Sequence, residues 1–485
     1  MKKQIIILSS LLLIIGGLVG ALVFLRRLPP PPEAPAGLSM IGDVDVLDFE
    51  APLAEVTVAP SGGTGAYTVI RLPGESSPAD PGSIQDAPAS LLVGREDLPL
   101  DVSKTDDLLA RAGKLTATRL LYESAEDYGA FGLDEPMISV KITDVEGLGK
   151  TLLIGGLAPD GNNNYVRIQG EPAVYLVPSY RLSLYEQPET SYISRQITSG
   201  GAADLYTAQR MTLGGAVRAD YGDVVITPVL PEEASPMDMD SFMLRSPVSR
   251  PLDPQYGQEP LAALFGLEAD EVAAIYPDEG LLAACGLDQP YATASVINSD
   301  NGGFTLLTGE PDEQGQVSLM REGVPLVYIV DAEKLPWLKL RFDDMMNRYV
   351  TEIHLDEVTE IAVESDGRLY RFAIDHSDPS RIGIHIDGRD ADRERFMAFC
   401  ETLRKASFEE LTSDPLPAGA EPILRITIRY GADTPDKTFA FYPGSSRRYF
   451  VEAGDMDFRF YTSSLYVDKA LAEAMAAAGG DTGGR

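Results

Sequence analysis

Cysteine, histidine and tryptophan are nearly missing from this chain: two, three and one among 485 residues. Two cysteines cannot form a disulfide scaffold or a four-thiolate zinc site. Cys285 and Cys400 stand in apolar, helix-like contexts, which favours buried free thiols, although an oxidising exterior permits a bond between them. Three histidines leave little material for imidazole chemistry. His354 and His385 fall in alternating, strand-like stretches and His376 in a polar turn, so all three read as surface or packing residues. Positive charge is short as well: 40 Lys and Arg face 74 Asp and Glu, a net charge of −34. Such a surface repels phosphate backbones and anionic headgroups, which argues against nucleic-acid binding and peripheral membrane binding. Apolar residues are present in ordinary amount, 44%, so wholesale disorder is excluded. At about 150 residues per domain the length suggests about three domains.

One apolar run stands out. Ile5 to Leu25 carries no charge, with Lys2 and Lys3 before it and Arg26 and Arg27 after it. As a helix it would measure roughly 31 Å, enough to cross a hydrocarbon core. The first Ala-x-Ala pattern, Ala34-Pro35-Ala36, lies beyond two arginines and a proline run, so an uncleaved signal-anchor is expected rather than a leader. The flanks carry similar charge; because a long C-terminal domain translocates largely regardless of its charge, the acidic bulk is expected outside the cell. Gly16-x-x-x-Gly20 reads as glycines tolerated in a lipid-facing helix. The proline-rich stretch Leu28 to Pro35 suggests a stiff spacer, and the glycine-rich end from Ala478 a disordered tail.

Beyond the spacer the sequence repeats. Gly132-Leu133-Asp134-Glu135-Pro136 recurs as Gly286-Leu287-Asp288-Gln289-Pro290, and Thr151-Leu152-Leu153-Ile154-Gly155 as Thr305-Leu306-Leu307-Thr308-Gly309, both 154 residues on. Gly170 to Val177, Gly-Glu-Pro-Ala-Val-Tyr-Leu-Val, recurs as Gly323 to Val330 at an offset of 153. A weaker third copy sets Lys437 to Phe441 in place of Lys150 to Ile154 and keeps the spacing of Tyr165 and Gly170 in Tyr449 and Gly454, without the Gly-Leu-Asp and Gly-x-Pro blocks. Alternating strands flank an Asp366-Gly367 turn in the third copy. Phe396, Phe399, Cys400 and Leu403 then fall on one helical face, with Asp390 as its cap and Asp392 and Glu394 in its first turn. In the first copy Ser103 to Ala112 takes that place, with Ser103 and Asp106 at capping-box spacing. An α+β fold follows: repeated modules of antiparallel meander sheet, each with a covering helix, after a single transmembrane helix. The expected division is anchor 1–28, spacer 29–45, repeat units 46–200, 201–346 and 347–475, and tail 476–485.

The anchor, the Gly-Leu-Asp-x-Pro turn, the Thr-Leu-Leu-Ile-Gly strand and the Gly-x-Pro-x-Val-Tyr-x-Val strand resemble an uncharacterised "domain of unknown function" family of bacterial membrane-anchored proteins. Members of that family are often encoded beside gliding-motility-type ABC transporter components. The likeness covers most of the chain after the anchor and is strongest in residues 101–195. It implies a place at the cell membrane and transporter subunits as partners, and brings no catalytic residues.

No chemical motif completes. Gly147-Leu148-Gly149-Lys150-Thr151 ends like a phosphate loop, but Asp144 stands where that loop needs glycine, so a hairpin turn is expected. Asp160, Asn162, Asn164 and Glu171 fit four positions of a calcium loop, but Tyr165 occupies the bend glycine, so a plain turn is expected. Asp343-Asp344 and Glu232-Glu233 read as solvated faces. No catalytic, cofactor-binding or metal-ligating residue is therefore assigned, and no cofactor is expected. The expected role is a non-enzymatic, single-pass extracytoplasmic accessory of an ABC-type transporter or envelope assembly. The competing possibility is an extracytoplasmic hydrolase or ligand-binding receptor with a site between repeat units.

Overall fold

The computed structural model describes residues 41–479 apart from 63–64, 73–89, 126, 231–240, 300–301, 352, 379–381, 413, 417–418, 432–434, 445–446 and 455–457. The expected anchor, most of the spacer, Glu232-Glu233 and the last six residues lie outside the described residues. Ile41 to Asp45, assigned to the spacer from sequence, begin a strand, and Ala476 and Ala477, assigned to the tail, close a helix. Among the described residues no helix is long and apolar enough to cross a membrane. The chain forms two compact units, one ending at Tyr192 and one starting at Ile193.

The first unit holds a nine-stranded sheet: β1 (Ile41–Asp48), β2 (Leu53–Pro60), β3 (Tyr67–Arg71), β4 (Ser90–Leu92), helix α1 (Val102–Arg111), β5 (Lys114–Tyr122), β6 (Ile138–Asp144), β7 (Gly149–Leu157), β8 (Asn163–Ile168) and β9 (Val174–Pro178). The second unit holds two more sheets. One runs β10 (Ala208–Gly214), β11 (Val224–Pro228), β12 (Phe242–Ser246), β13 (Arg250–Pro251), β14 (Glu271–Ile275), helix α2 (Glu279–Ala284), β15 (Ala292–Asn298), β16 (Gly303–Thr308), β17 (Gln316–Arg321) and β18 (Leu326–Asp331). The other runs β19 (Val358–Ser365), β20 (Arg368–Asp375), β21 (Gly383–Ile386), β22 (Arg389–Asp390), helix α3 (Arg393–Arg404), β23 (Glu410–Thr412), β24 (Leu424–Tyr430), β25 (Lys437–Pro443), β26 (Arg448–Ala453), β27 (Arg459–Ser463) and helix α4 (Ser464–Ala477).

The three sheets share one strand order. The first reads β4-β3-β2-β6-β7-β8-β9-β5-β1, the second β13-β12-β11-β10-β15-β16-β17-β18-β14, the third β22-β21-β20-β19-β24-β25-β26-β27-β23. Eight strands correspond throughout. The ninth is β1 at one edge of the first sheet, and the two-residue strands β13 and β22 at the opposite edge of the others. The pairings are antiparallel throughout. Where β1 pairs along β5, the later sheets keep only a bridge at that edge, Gln196 with Glu268 and Tyr349 with Ser407.

Alternation buries one face of each sheet. In the first, Val56, Val58, Val69, Val140, Ile142 and Leu152 form the core with Leu108 and Leu109 of α1. In the third, Phe396, Phe399, Cys400 and Leu403 of α3 are all buried, with the Phe396 ring 4.9 Å from that of Phe372. The caps differ from the sequence expectation. Asp101, not Ser103, caps α1 by accepting from the Lys104 amide, and Ser103 donates back to Asp101 at 2.6 Å. Asp392, not Asp390, caps α3 through the Arg395 amide, because the chain is still in β22 at Asp390. The second sheet lacks a long helix at this place; a π-helical turn over Pro254–Gln258 and a single α-turn over Glu259–Ala262 stand there.

The strand order forces a crossing. β5 lies between β1 and β9, whereas its successor β6 lies on the far side of β9, β8 and β7, so the chain must pass over the face opposite the helix. The Gly-Leu-Asp-x-Pro turn is on that strap. Leu133 packs on Leu153 and Val174, and the Met137 amide donates to the Ile154 carbonyl at 2.8 Å. Tyr291 to Thr308 and Ile423 to Phe441 repeat that bond at 2.8 Å in the other two sheets. Gly132 and Gly286 have φ of +66° and +67°, a region open to glycine without steric cost. In the third sheet Gly419, at +74°, stands one residue nearer to β24 than Gly132 and Gly286 stand to β6 and β15.

Candidate functional site

The strap makes the three sheets unequal on their open faces. A Cβ on Gly155 would collide with the Phe131 carbonyl oxygen, and one on Gly309 with that of Cys285. The strap therefore rests directly on the strand, and only glycine fits beneath it. Four residues beyond Thr438, as Gly155 lies four beyond Thr151, the third sheet carries Tyr442 instead. A tyrosine side chain there lies against the strap. Its ring packs in a small cluster with Ala440, Phe450, Leu416 and Ala420.

A groove is left beside it. One depression of about 300 Å³ is lined by Arg425, Thr438, Tyr442, Glu452, Phe458 and Arg459, among others. A second, of about 480 Å³, is bounded by the Glu364–Gly367 hairpin and by Glu421 to Ile423 of the strap. Arg425 lines both. Arg459 is fully engaged: Nε and Nη2 reach Glu452 Oε1 at 3.2 and 3.1 Å, and Nη1 donates to the Asp414 carbonyl at 2.8 Å. Burial first, then the Glu452 charge, pushes the Tyr442 hydroxyl above its ordinary pKa, so it stays a protonated donor. The polar groups that line the groove pair with one another, Tyr442 with Glu452 and Arg425, and Arg459 with Glu452.

The motifs singled out from sequence are turns and packing residues. Gly147, at φ +89°, turns the β6–β7 hairpin, as expected of that glycine-lysine stretch. Asp160 Oδ1 accepts from the Asn162 and Asn163 amides at 2.9 and 3.1 Å, which closes a plain turn. His385 lies on β21, 3.0 Å from Asp390 and 3.7 Å from Asp375; His376 contacts the Val358 carbonyl at 2.8 Å. His354 is not on a strand as expected, but in the turn before β19. Cys400 is buried and free, its thiol pushed up to about 12 by burial; Cys285 is free but only half-buried, at the end of α2. Asp343 and Asp344 pair with Arg341 and Arg348 at 3.0 and 2.8 Å. Among the described residues no three His, Cys, Asp or Glu side chains are grouped to hold a metal.

Sequence reasoning missed the groove, although the signal was present: Tyr442 replaces a glycine that both stronger copies share. It also missed Arg218. That guanidinium is fully buried and donates to the carbonyls of Gly214, Trp337 and Leu340 at 3.0, 2.7 and 3.0 Å. Desolvation lowers its pKa, yet its role is to satisfy buried carbonyls at the end of β10 and of the turn Pro336–Lys339.

A family model described as "Domain of unknown function (DUF4340)" matches residues 91–290 and again 243–422, together more than two thirds of the chain. Both matches end on the proline of the strap turn, Pro290 and Pro422. No curated protein and no solved structure matches the chain.

Proposed function

The chain belongs to the DUF4340 family, a domain of unknown function present here twice, and from that premise we propose that it is a membrane-held accessory protein. In this proposal Ile5 to Leu25 anchors it, the sheets stand outside the cytoplasm, and they serve an ABC-type transporter or envelope assembly. Three copies of one strand order, each with a face turned away from the main core, carry the proposal, because a repeated surface suits contact with a large partner. Ser295 with Thr305 and Thr427 with Thr438 are matched cross-strand pairs on those faces, at 3.0 and 3.3 Å. The uncharged run in the sequence supports the membrane, and the family resemblance supports the transporter.

The test is complementation of a deletion strain. A fragment starting at Leu38 keeps every described strand, so it should fold, yet it should fail to restore the phenotype that the full chain restores. ABC transporter subunits should co-purify from membranes with the full chain only. Full rescue by the fragment at normal expression would sink the proposal. A second possibility, favoured by Tyr442, is a ligand site in the third-sheet groove. In that case Tyr442→Gly, not loss of the anchor, abolishes rescue.

A further inference from the structure

We propose that copies of this chain associate head to tail, the β22 edge of the third sheet in one copy receiving strand β1 of the next. This goes beyond the accessory role and does not depend on it. The pattern for the contact lies inside the second unit, where residues 346–350 stitch the second sheet to the third. Leu252, next after β13, bridges antiparallel to Met346, and the Asn347 amide donates to the Pro251 carbonyl at 2.8 Å. Arg250 Nη1 donates to the Tyr349 and Val350 carbonyls at 3.2 and 3.5 Å. On its other side the same segment meets the third sheet. Tyr349 bridges to Ser407, and the Val350 amide donates to the Ala406 carbonyl at 2.9 Å.

Each half of that junction recurs at one end of the chain without its counterpart. β22 repeats β13. His385 pairs with Asp390 and Ile386 with Arg389, as Met243 pairs with Pro251 and Leu244 with Arg250. The Ala391 amide donates to the Ile384 carbonyl and the Leu252 amide to that of Phe242, both at 2.9 Å. The next residues, Asp392 and Asp253, each cap a helical turn and donate their own amides to the Ala477 and Met345 carbonyls at 3.1 and 2.8 Å. Arg389 thus stands where Arg250 does, and Asp390 where Pro251 does. Asp390 lies beside the hydrogen-bonded pair of Ala391 and Ile384, so its own amide and carbonyl point away from β21. Among the described residues no strand pairs with β22 on that side, and both its side chains are exposed.

β1 repeats the other half. Asp48 pairs with Lys114 and the Phe49 amide donates to the Gly113 carbonyl at 3.0 Å, as Tyr349 and Val350 do with Ser407 and Ala406. Asp48 therefore corresponds to Tyr349, whose carbonyl Arg250 holds. β1 ends the strand order of the first sheet, so its outer edge is unpaired among the described residues. Charge fits as well, because Asp43, Asp45 and Asp48 are exposed along β1 and meet the exposed Arg389. Inside the chain Leu252 and Met346 are buried where they bridge. Counted three back from Asp48, as Met346 is from Tyr349, Asp45 takes the place of Met346, and Ala391 that of Leu252. Without that apolar pair, and against a net charge of −34 on each copy, the contact is weaker than the internal one and depends on concentration. It is heterologous, so a row of copies keeps a free edge at each end.

Cysteine cross-linking of the full chain in detergent tests this. Ala391→Cys and Asp45→Cys are placed in separate chains, which are mixed and oxidised. A mixed disulfide dimer should form, and a chain carrying both changes should give a ladder of dimers, trimers and longer rows, beyond any product of the natural chain through Cys285 or Cys400. Adding Arg389→Glu to the Ala391→Cys chain should cut the mixed product by about tenfold or more. Pairing that chain with one carrying Asp48→Arg beside Asp45→Cys should restore it. Arg389 and Asp48 are exposed, so neither change should move the unfolding midpoint. Absence of the mixed product, a yield indifferent to Arg389→Glu, or equal dimer formation by either chain alone overturns the proposal; the last would mean that like edges pair. A product that appears only after residues 480–485 are deleted also overturns it, since the tail then fills the β22 edge.

Discussion

Gly155 and Gly309 are the residues on which the shape of the repeat turns. Each lies under a strap carbonyl closer than any real Cβ can approach. Gly309→Ala should therefore force the strap or the strand to shift, at a cost of about 1–3 kcal/mol in line with overpacked sites. Urea denaturation checks this, and a change under about half a kilocalorie per mole would mean that the strap yields freely. Arg218→Met removes donors from three buried carbonyls, so a loss of at least about 1–3 kcal/mol is expected on the same assay. At acid pH another residue matters. Lys334, at 2.5 Å, and the Asp331 amide, at 2.9 Å, hold the Asp270 carboxylate below its ordinary pKa. A depressed folded-state pKa means that the ionised form stabilises the fold. That contribution is complete above the usual aspartate value of about 3.9 and is lost as pH falls through the lowered one. The stability gap between the natural chain and Asp270→Asn should shrink on acidification below that value; a gap independent of pH would refute the assignment.

The helices show how far sequence reached at the level of elements. The spacing of Phe396, Phe399, Cys400 and Leu403 gave the buried face of α3 correctly, since a 3.6-residue period with matching polar positions is a strong signal. Phe399→Ala should cost about 3–5 kcal/mol in that unit, read as a lower denaturation midpoint. The caps were misplaced by two residues in both α1 and α3. Several acids and serines cluster before each helix, and which one caps depends on where the preceding strand or turn releases the chain. The second sheet's short, irregular helix follows from Pro260, which removes an amide donor within the helical stretch; Pro254, at its first position, is tolerated there. The strap was legible as a repeated turn and not as a crossing, because strand order is a long-range property that local periodicity does not carry. The groove escaped for the same reason: Tyr442 matters through a segment that precedes it by some twenty residues.

For the whole molecule, protease added to intact protoplasts should digest the chain beyond Arg27, and full protection would reverse the proposed topology. The mismatch between the family frame and the sheets has a practical consequence. Residues 91–290 begin inside β4 and stop just before β15. A fragment cut there would keep β6 but lose β2 and β3, and would keep β10 but lose β15. With β1 also lost from beside β5, three interior strands would become bare edges, each with a row of unpaired amides and carbonyls, and such edges recruit further chains. Expression of the matched frame alone should therefore give aggregates. Fragments cut between sheets, near residues 193 or 347, follow the strand order and leave each native edge as it was.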